Sequence, residues 1–250
     1  MEEMLHGLPR EVVDVEEIRV GPFLTAIRVC GHRAGPSGPV ARCGLASTLA
    51  EHDPGEDHGV EGVGRLLALA ARDLAEYVLS PKILAASIGM ATLNALLDVP
   101  AHCCGGITVP DLILEKGRDR TVAVLGHFPF LERLSRAVGE IHVFELKPTR
   151  GELPLSQVRD ILPRCEVVAV TATMLMNGTY REVLPLCEKA FTVMLGPSTP
   201  PSPVLFDHGV DALAGSLVVD PEDTLCAVSQ GATYRDLKGV RKWTWIKDQN

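Results

Sequence analysis

The sequence predicts an α/β protein made of two unlike parts, an α+β unit followed by a parallel-sheet unit, and three observations carry that expectation. Short β-branched and aromatic runs open the chain and are followed by two helical patterns. Beyond the charged segment LEKGRDR the rhythm changes to apolar strand, glycine, helix, strand. The 250 residues include 23 glycines and 18 prolines, which predicts many tight connections between short elements rather than a helical bundle.

In chain order, residues 16–30 (EEIRVGPFLTAIRVC) read as two strands about Gly21-Pro22, with Val20, Phe23, Ile27 and Val29 on their faces. A third strand, VARCGLAST, follows the turn-rich GHRAGPSGP. In GVGRLLALAARDLAEYVL, Leu66, Leu67, Leu69, Ala70, Leu74 and Val78 form one helical apolar face, stopped by Ser80-Pro81. ILAASIGMATLNALLD is a second helix. Strands followed by two helices define the first unit, residues 1–117.

Residues 118–250 form the second. TVAVLG is a continuous apolar strand ended by Gly126, and Pro129 suits the first turn of a helix reaching about Val138. IHVFEL is the next strand, LSQVRDIL a short helix, and EVVAVTAT a third strand. GTYREVLPLCEKA is helical with a kink at Pro185, and FTVMLG is a fourth strand. Buried strands alternating with helices predict a parallel sheet wound in the Rossmann manner.

Composition excludes several functions. Lys plus Arg number 24 and Asp plus Glu 32, a net charge of −8, and the pI is about 5.5. Nucleic acid and anionic membrane surfaces both call for a basic patch, so neither is an expected partner. Aromatics at 4% leave no base-stacking platform. The N-terminal MEEMLHGLPREVVDVEEI lacks the basic stretch and apolar core of a signal peptide, and no apolar run reaches the ~18 residues of a membrane span. Seven scattered cysteines, an odd number, fit reduced and mostly buried thiols in the cytoplasm. A homodimer is the default assembly.

Open parallel sheets bind ligands beyond the carboxyl ends of their strands, which selects four loops. The first is Gly126-His127-Phe128-Pro129; the second holds Glu145, Lys147 and Pro148. An acidic residue ~20 positions after the first turn is where dinucleotide-binding folds hold a ribose hydroxyl, and Glu145 stands at about that distance from Gly126. His127 and Phe128, however, occupy positions where a pyrophosphate needs smaller residues, so a diphosphate cradle is not expected, and the spacing fits either a nucleoside-type ligand without a diphosphate or an unrelated carboxylate. Glu145 serves equally well as a helix cap or a partner of Lys147.

The third loop, TATMLMNGT, carries Thr171, Thr173, Asn177 and Thr179. Asn177 is a good N-cap for the following helix. Thr171 and Thr173 sit too early to cap and read as ligand groups. The fourth, GPSTPPSP, begins with Gly196-Pro197-Ser198, either an anion-holding corner or a stiff connection. His127 is the candidate acid–base group and Glu145 its candidate partner. In the first unit, Asn94 is either a satisfied core amide or a group facing the cleft between the units, and Arg42 to Ser47, including Cys43 and Gly44, could line that cleft.

Metal ligands are not expected: there is no C-x-x-C pair and no H-x-x-x-H helix. Cys103-Cys104 beside His102 reads better as buried thiols. AEHDPGEDHGVEG, with His52, Asp53, Glu56, Asp57 and His58, reads better as a solvated acidic loop than as a metal loop.

The strings CGLAST, SIGMATLNALL, VAVLGHFPF, FELKP, VAVTATMLMNGTYREVL and MLGPSTPPSPVLFDHGVDALAGSLVVD together resemble a family described as putative heavy-metal chelation proteins. That resemblance, over nearly the whole chain, implies an enolase N-terminal-like domain joined to a Rossmann-like domain. It implies a site where the two meet, and a role in handling a metal-chelating small molecule. The Rossmann half also looks like that of methyltransferases, although their glycine-rich turn is reduced here to Gly126. The expectations are therefore an enzyme acting on an organic chelator or its precursor by condensation or hydrolysis, a non-catalytic binder of a metal–chelate complex, or an S-adenosylmethionine-dependent enzyme. These residues name no cofactor.

Overall fold

The computed structural model describes residues 1–8, 13–31, 40–49, 59–104, 106–149 and 151–247. After a short helix α1 (Glu2–His6), strands β1 (Val13–Val20), β2 (Leu24–Gly31) and β3 (Val40–Ser47) form an antiparallel sheet in chain order. The Gly21 N–H closes the first turn by donating to the Leu24 carbonyl at 2.8 Å. β2 is buried on both faces because both are covered. Alternate side chains of a strand point opposite ways. Ile27 and Val29 therefore join a core with Leu74 and Val78, while Leu24 and Ala26 pack with Leu225 and Val228 near the C-terminus.

The single helix expected over residues 62–79 is broken. A 3-10 turn at Leu66–Ala68 gives way to extended backbone at Leu69 and Ala70, then helix α2 (Ala71–Ala75) and a second 3-10 turn at Glu76–Leu79. The cause is tertiary: Ala70 forms a β-bridge with Asp14 of β1, which needs an extended residue. Leu67, placed by periodicity on the apolar face, is 57% exposed.

Helix α3 (Ile83–Leu96) follows and is apolar all round, as a helix packed on several sides must be. Its small residues admit other backbones. A Cβ on Gly89 would lie 2.0 Å from the Val78 nitrogen, and one on Gly44 of β3 would lie 2.1 Å from the Ala91 carbonyl oxygen.

Helix α4 (Val109–Gly117), which the sequence reading did not single out, is capped by Thr108 and absorbs the first four residues of the charged segment. Next come β4 (Thr121–Leu125), α5 (Leu131–Ser135), β5 (Glu140–Glu145), β6 (Leu153–Pro154), α6 (Val158–Ile161), β7 (Val167–Thr171), α7 (Met174–Asn177), α8 (Tyr180–Val183), β8 (Phe191–Leu195), α9 (Val204–Asp207), β9 (Ala212–Val218), α10 (Pro221–Ser229) and β10 (Val240–Ile246). α5 stops short of the expected Val138, because Val138 pairs with the Arg118 backbone instead. The kink expected at Pro185 is present as the change from α8 to a 3-10 turn at Leu184–Cys187.

The second sheet has the order β10-β9-β8-β7-β4-β5-β6, parallel throughout except for β10 on β9. The chain builds outward from β4 through β5 to β6, then returns to the other side of β4 with β7. The direction of winding therefore reverses between β4 and β7, and that point opens a crevice at the carboxyl ends of the strands.

One face of this sheet, with Ala123, Leu125, Val168, Val170 and Met194, shares a continuous core with α3 and β2. The other, with Val122, Val124, Val167 and Val193, packs on α4 and α5. α10 leaves the second sheet to cover the outer face of the first. Among the described residues, no helix is long and apolar enough to cross a membrane.

Candidate functional site

Gly126 ends β4 at φ +110°, a value that L side chains rarely adopt, and a Cβ there would lie 3.1 Å from the Thr171 Cβ. The turn is thus glycine for two independent reasons, and it lets the ends of β4 and β7 approach. Between them lies a cavity of about 300 Å³. Its apolar walls are Leu125, Phe144, Leu155, Met174 and Val183, with Leu49 contributed from just beyond β3. His127, Glu145, Thr171, Thr173, Asn177 and Thr179 supply its polar side. Among the described residues, no lysine or arginine lines it.

The polar side is locally organised. The Thr171 and Thr173 hydroxyls are 3.0 Å apart, and the Thr173 N–H donates to Thr171 Oγ1 at 3.4 Å. Asn177 ends α7, and Gly178 turns the chain at φ +78°. Asn177 Oδ1 then accepts from the Thr179 N–H at 3.1 Å and from its hydroxyl at 2.7 Å, bracing the entry to α8. The helix starts at Tyr180 rather than Gly178, so the asparagine acts on Thr179, the N-cap, from two residues before it.

His127 has a different partner from the one the sequence suggests. Its Nδ1 lies 3.2 Å from Glu152 Oε1, while Glu145 accepts the Leu146 N–H at 3.3 Å. Among the described residues no ion pair joins Glu145 to Lys147. Glu152 is anchored: its second oxygen accepts the Thr149 N–H and the Thr149 hydroxyl, each at 2.8 Å. Those two bonds, and then His127, hold its carboxyl below the usual carboxylate range. The Glu152 side chain is 13% exposed and the His127 side chain 71%. Sequence reasoning passed over Glu152, yet T-x-x-E at Thr149–Glu152 is the spacing of a capping box and was a usable signal.

The remaining sequence candidates fall elsewhere. Phe128 stacks on Phe130, with ring centroids 5.4 Å apart. Ser198 is buried and its Oγ accepts the Ser47 N–H at 2.9 Å. Asn94 Nδ2 donates to the Leu45 carbonyl at 2.9 Å and to the Pro197 carbonyl at 3.4 Å. Gly196 donates its N–H to the Ala214 carbonyl at 3.1 Å, and Gly44 presses on α3. Arg42 pairs with Asp98 at 3.0 Å and reaches the Leu96 carbonyl at the end of α3. Gly44, Asn94 and Gly196 to Ser198 thus form a packed seam between the sheets, and none of them lines the cavity. The structure brings together Gly126, His127, Glu145, Thr171, Thr173 and Asn177.

A larger groove of about 460 Å³ lies between α4 and α5, lined by Asp111, Arg118 and Arg133 among others. Arg118 precedes the start of β4, so this groove is not at the ligand-binding ends of the strands. Among the described residues no group of three or more His, Cys, Asp or Glu suits a metal. The acidic stretch with His52, Asp53, Glu56, Asp57 and His58 lies outside the described residues, as does Gly105. Burial pushes the Cys43 and Cys187 thiols up to about 12 and those of Cys103 and Cys165 to about 11. These four stay protonated at neutral pH and are poor nucleophiles.

Two family models match the chain, each described as putative heavy-metal chelation: DUF4213 over residues 1–97 and DUF364 over residues 109–246. Among curated proteins none matches. Two solved structures have the same fold at a TM-score of 0.80. One, from Desulfitobacterium hafniense DCB-2, is 29% identical and covers 98% of this chain and 96% of its own. The other, from Pyrococcus horikoshii, is 21% identical and covers 98% and 97%. Both are described as proteins of unknown function from the DUF364 family. With that model spanning more than half of its length, the chain belongs to the DUF364 family, described as putative heavy-metal chelation.

Proposed function

We propose that the protein binds a small organic metal chelator, or a precursor of one, in the cavity between the ends of β4 and β7. There it promotes a condensation or hydrolysis at the polar rim, with His127 and Glu145 as the reacting side chains. The observation that carries this reading is the cavity itself. Hydroxyl, amide and acid groups from three strand ends face apolar walls, and among the described residues no cationic side chain lines it. Such a lining suits a neutral or positively charged organic molecule with several hydrogen-bonding groups, and disfavours a polyphosphate. The family description supplies the link to metals.

In this reading residues 1–117 are an enolase N-terminal-like domain and residues 118–250 a Rossmann-like domain. The strand order, which counted within the second sheet is 3-2-1-4-5-6 with a seventh antiparallel strand, supports the latter. The setting is cytoplasmic metal homeostasis, with a small molecule rather than nucleic acid or membrane as the partner, and with a homodimer as the assembly.

Native mass spectrometry of the untagged protein tests the reading. The expected result is a non-covalent organic adduct on the parent that is lost in Thr171→Arg. An adduct retained in that variant, or metal bound without an organic partner, would count against it. An adduct that survives prolonged incubation unchanged would favour a non-catalytic binder of a metal–chelate complex.

A second reading, an S-adenosylmethionine-dependent enzyme, is favoured by one observation. Glu145 ends the strand next to the Gly126 turn, where such folds bind ribose hydroxyls. Calorimetry with S-adenosylmethionine should show heat if it holds, and none if it does not.

A further inference from the structure

We infer that Glu152 is the positioning residue of this site, fixing the His127 imidazole so that Nε2 is the atom that exchanges a proton with the bound ligand. This deepens the proposed function and rests on it.

The geometry is specific. A carboxylate only accepts hydrogen bonds, so the 3.2 Å contact between His127 Nδ1 and Glu152 Oε1 requires the proton on Nδ1. Nε2 then carries the free lone pair, and it has no hydrogen-bond partner among the described residues. The carboxylate cannot swing away cheaply, because Thr149 holds its other oxygen twice, at 2.8 Å each, and only 13% of the side chain is exposed. Thr149 and Glu152 sit immediately before β6, which is paired with the end of β5 through Phe144 and Leu153. The couple is therefore mounted on the sheet edge beside the cavity. Glu145 is the other titratable group among the described cavity residues, and one of its oxygens accepts the Leu146 N–H.

In the step this arrangement supports, Nε2 takes the proton of a ligand hydroxyl or amine and the electron pair stays on the ligand. The imidazolium so formed is stabilised through Nδ1–H by the Glu152 carboxylate, then returns the proton to a leaving group or to water. The lowered carboxyl of Glu152 agrees with this, since it stays ionised wherever the histidine works.

The test is nitrogen-detected NMR of histidine side chains in the ligand-free protein at about pH 9, well above the ordinary imidazole value of about 6.5. In the parent, His127 is expected to be mainly protonated on Nδ1. In Glu152→Gln the amide can turn an N–H toward Nδ1, and the majority form should change to Nε2–H. Thr149→Val, which removes one of the bonds on Glu152 and leaves its charge, should move the balance the same way but less. Glu152→Asp should retain part of the Nδ1–H form. If the parent is mainly Nε2–H, or if the balance is the same in the parent, Glu152→Gln and Thr149→Val, the inference is overturned. Should Glu152→Gln fail to fold, Thr149→Val carries the comparison. Because no ligand is present, this outcome is independent of whether the cavity binds one.

Discussion

The rim at the ends of β4 and β7 and the seam between the two sheets are built from the same kinds of residues and behave oppositely. Each begins with a glycine at the end of a parallel strand, Gly126 or Gly196, at φ +110° and +123°. Hydroxyl and amide side chains stand beside each glycine turn, contributed at the rim by the loop after β7 and at the seam by Ser198, Thr199 and Asn94. At the seam several of these groups bridge the two sheets: Ser198 accepts from Ser47, and the Asn94 amide N–H groups tie Leu45 to Pro197, while Asn94 Oδ1 and Thr199 Oγ1 are buried without a partner among the described residues. At the rim, Thr171 and Thr173 bond each other around a cavity, and His127 keeps one ring nitrogen free. The difference teaches that a polar loop at a strand end leaves an open cavity only where the other sheet does not sit on it. Leu49 approaches the rim and stops at its wall, whereas β3 lies directly against the Gly196 loop.

The largest expected effect belongs to the seam. A Cβ on Gly44 would meet the Ala91 oxygen at 2.1 Å and the Ala95 nitrogen at 2.3 Å, both backbone atoms that cannot rotate away. Gly44→Ala should therefore destabilise the protein by about 3 kcal/mol or prevent folding, read from the midpoint of denaturant unfolding. An unchanged midpoint would mean that β3 and α3 are not in contact as described. Ser198→Ala comes next. It removes the acceptor of the part-buried Ser47 N–H, an expected loss of about 1 kcal/mol in the same assay.

At the rim the same assay should barely respond. Thr171→Val and His127→Ala remove groups that in the proposed function serve a ligand rather than the fold, so stability should change by no more than about 0.5 kcal/mol while the expected organic adduct is lost. A rim substitution as costly as Ser198→Ala would erase the distinction between the two regions.

The smallest effect is a pH dependence. Hydrogen bonds from Thr149 hold the Glu152 carboxyl low in the folded state, as Thr233 does for Asp236 and Thr108 with Arg133 does for Asp111. The unfolded chain therefore binds these protons more readily. The stability they contribute is complete above the ordinary carboxylate value of about 4.3 and is lost as pH falls through the lowered folded values. Unfolding followed from pH 6 to about pH 3 should show this decline, with a shallower slope in Glu152→Gln; identical slopes would argue that Glu152 is unbound in solution.

Much of the fold was legible because strands announce themselves locally. β4, β7 and β8 coincide with apolar runs, since buried parallel strands have no polar face to interrupt them, while the antiparallel strands of the first sheet are marked by β-branched and aromatic residues between turn signals. Helix continuity was less legible: the periodicity of residues 62–79 is intact, but the Ala70–Asp14 bridge, a contact made across the chain, overrides it.

The strand-end rule selected Gly126, His127, Glu145, Thr171, Thr173 and Asn177, which line one cavity. It could not separate them from Gly196, Pro197 and Ser198, because burial of a loop depends on what packs over it. Glu152 was missed for a related reason. It lies on the turn before a two-residue strand that has no apolar run to mark it.

The most direct test is a crystallographic fragment screen of the parent protein, which locates ligand-binding space without knowing the natural ligand. Fragments are expected to cluster between Gly126, Glu145, Thr171 and Asn177, with none displacing the contacts of Ser198 or Asn94. Fragments gathered at the Gly196–Ser198 loop, with an empty rim, would contradict the assignment of the rim as the site and the seam as structure.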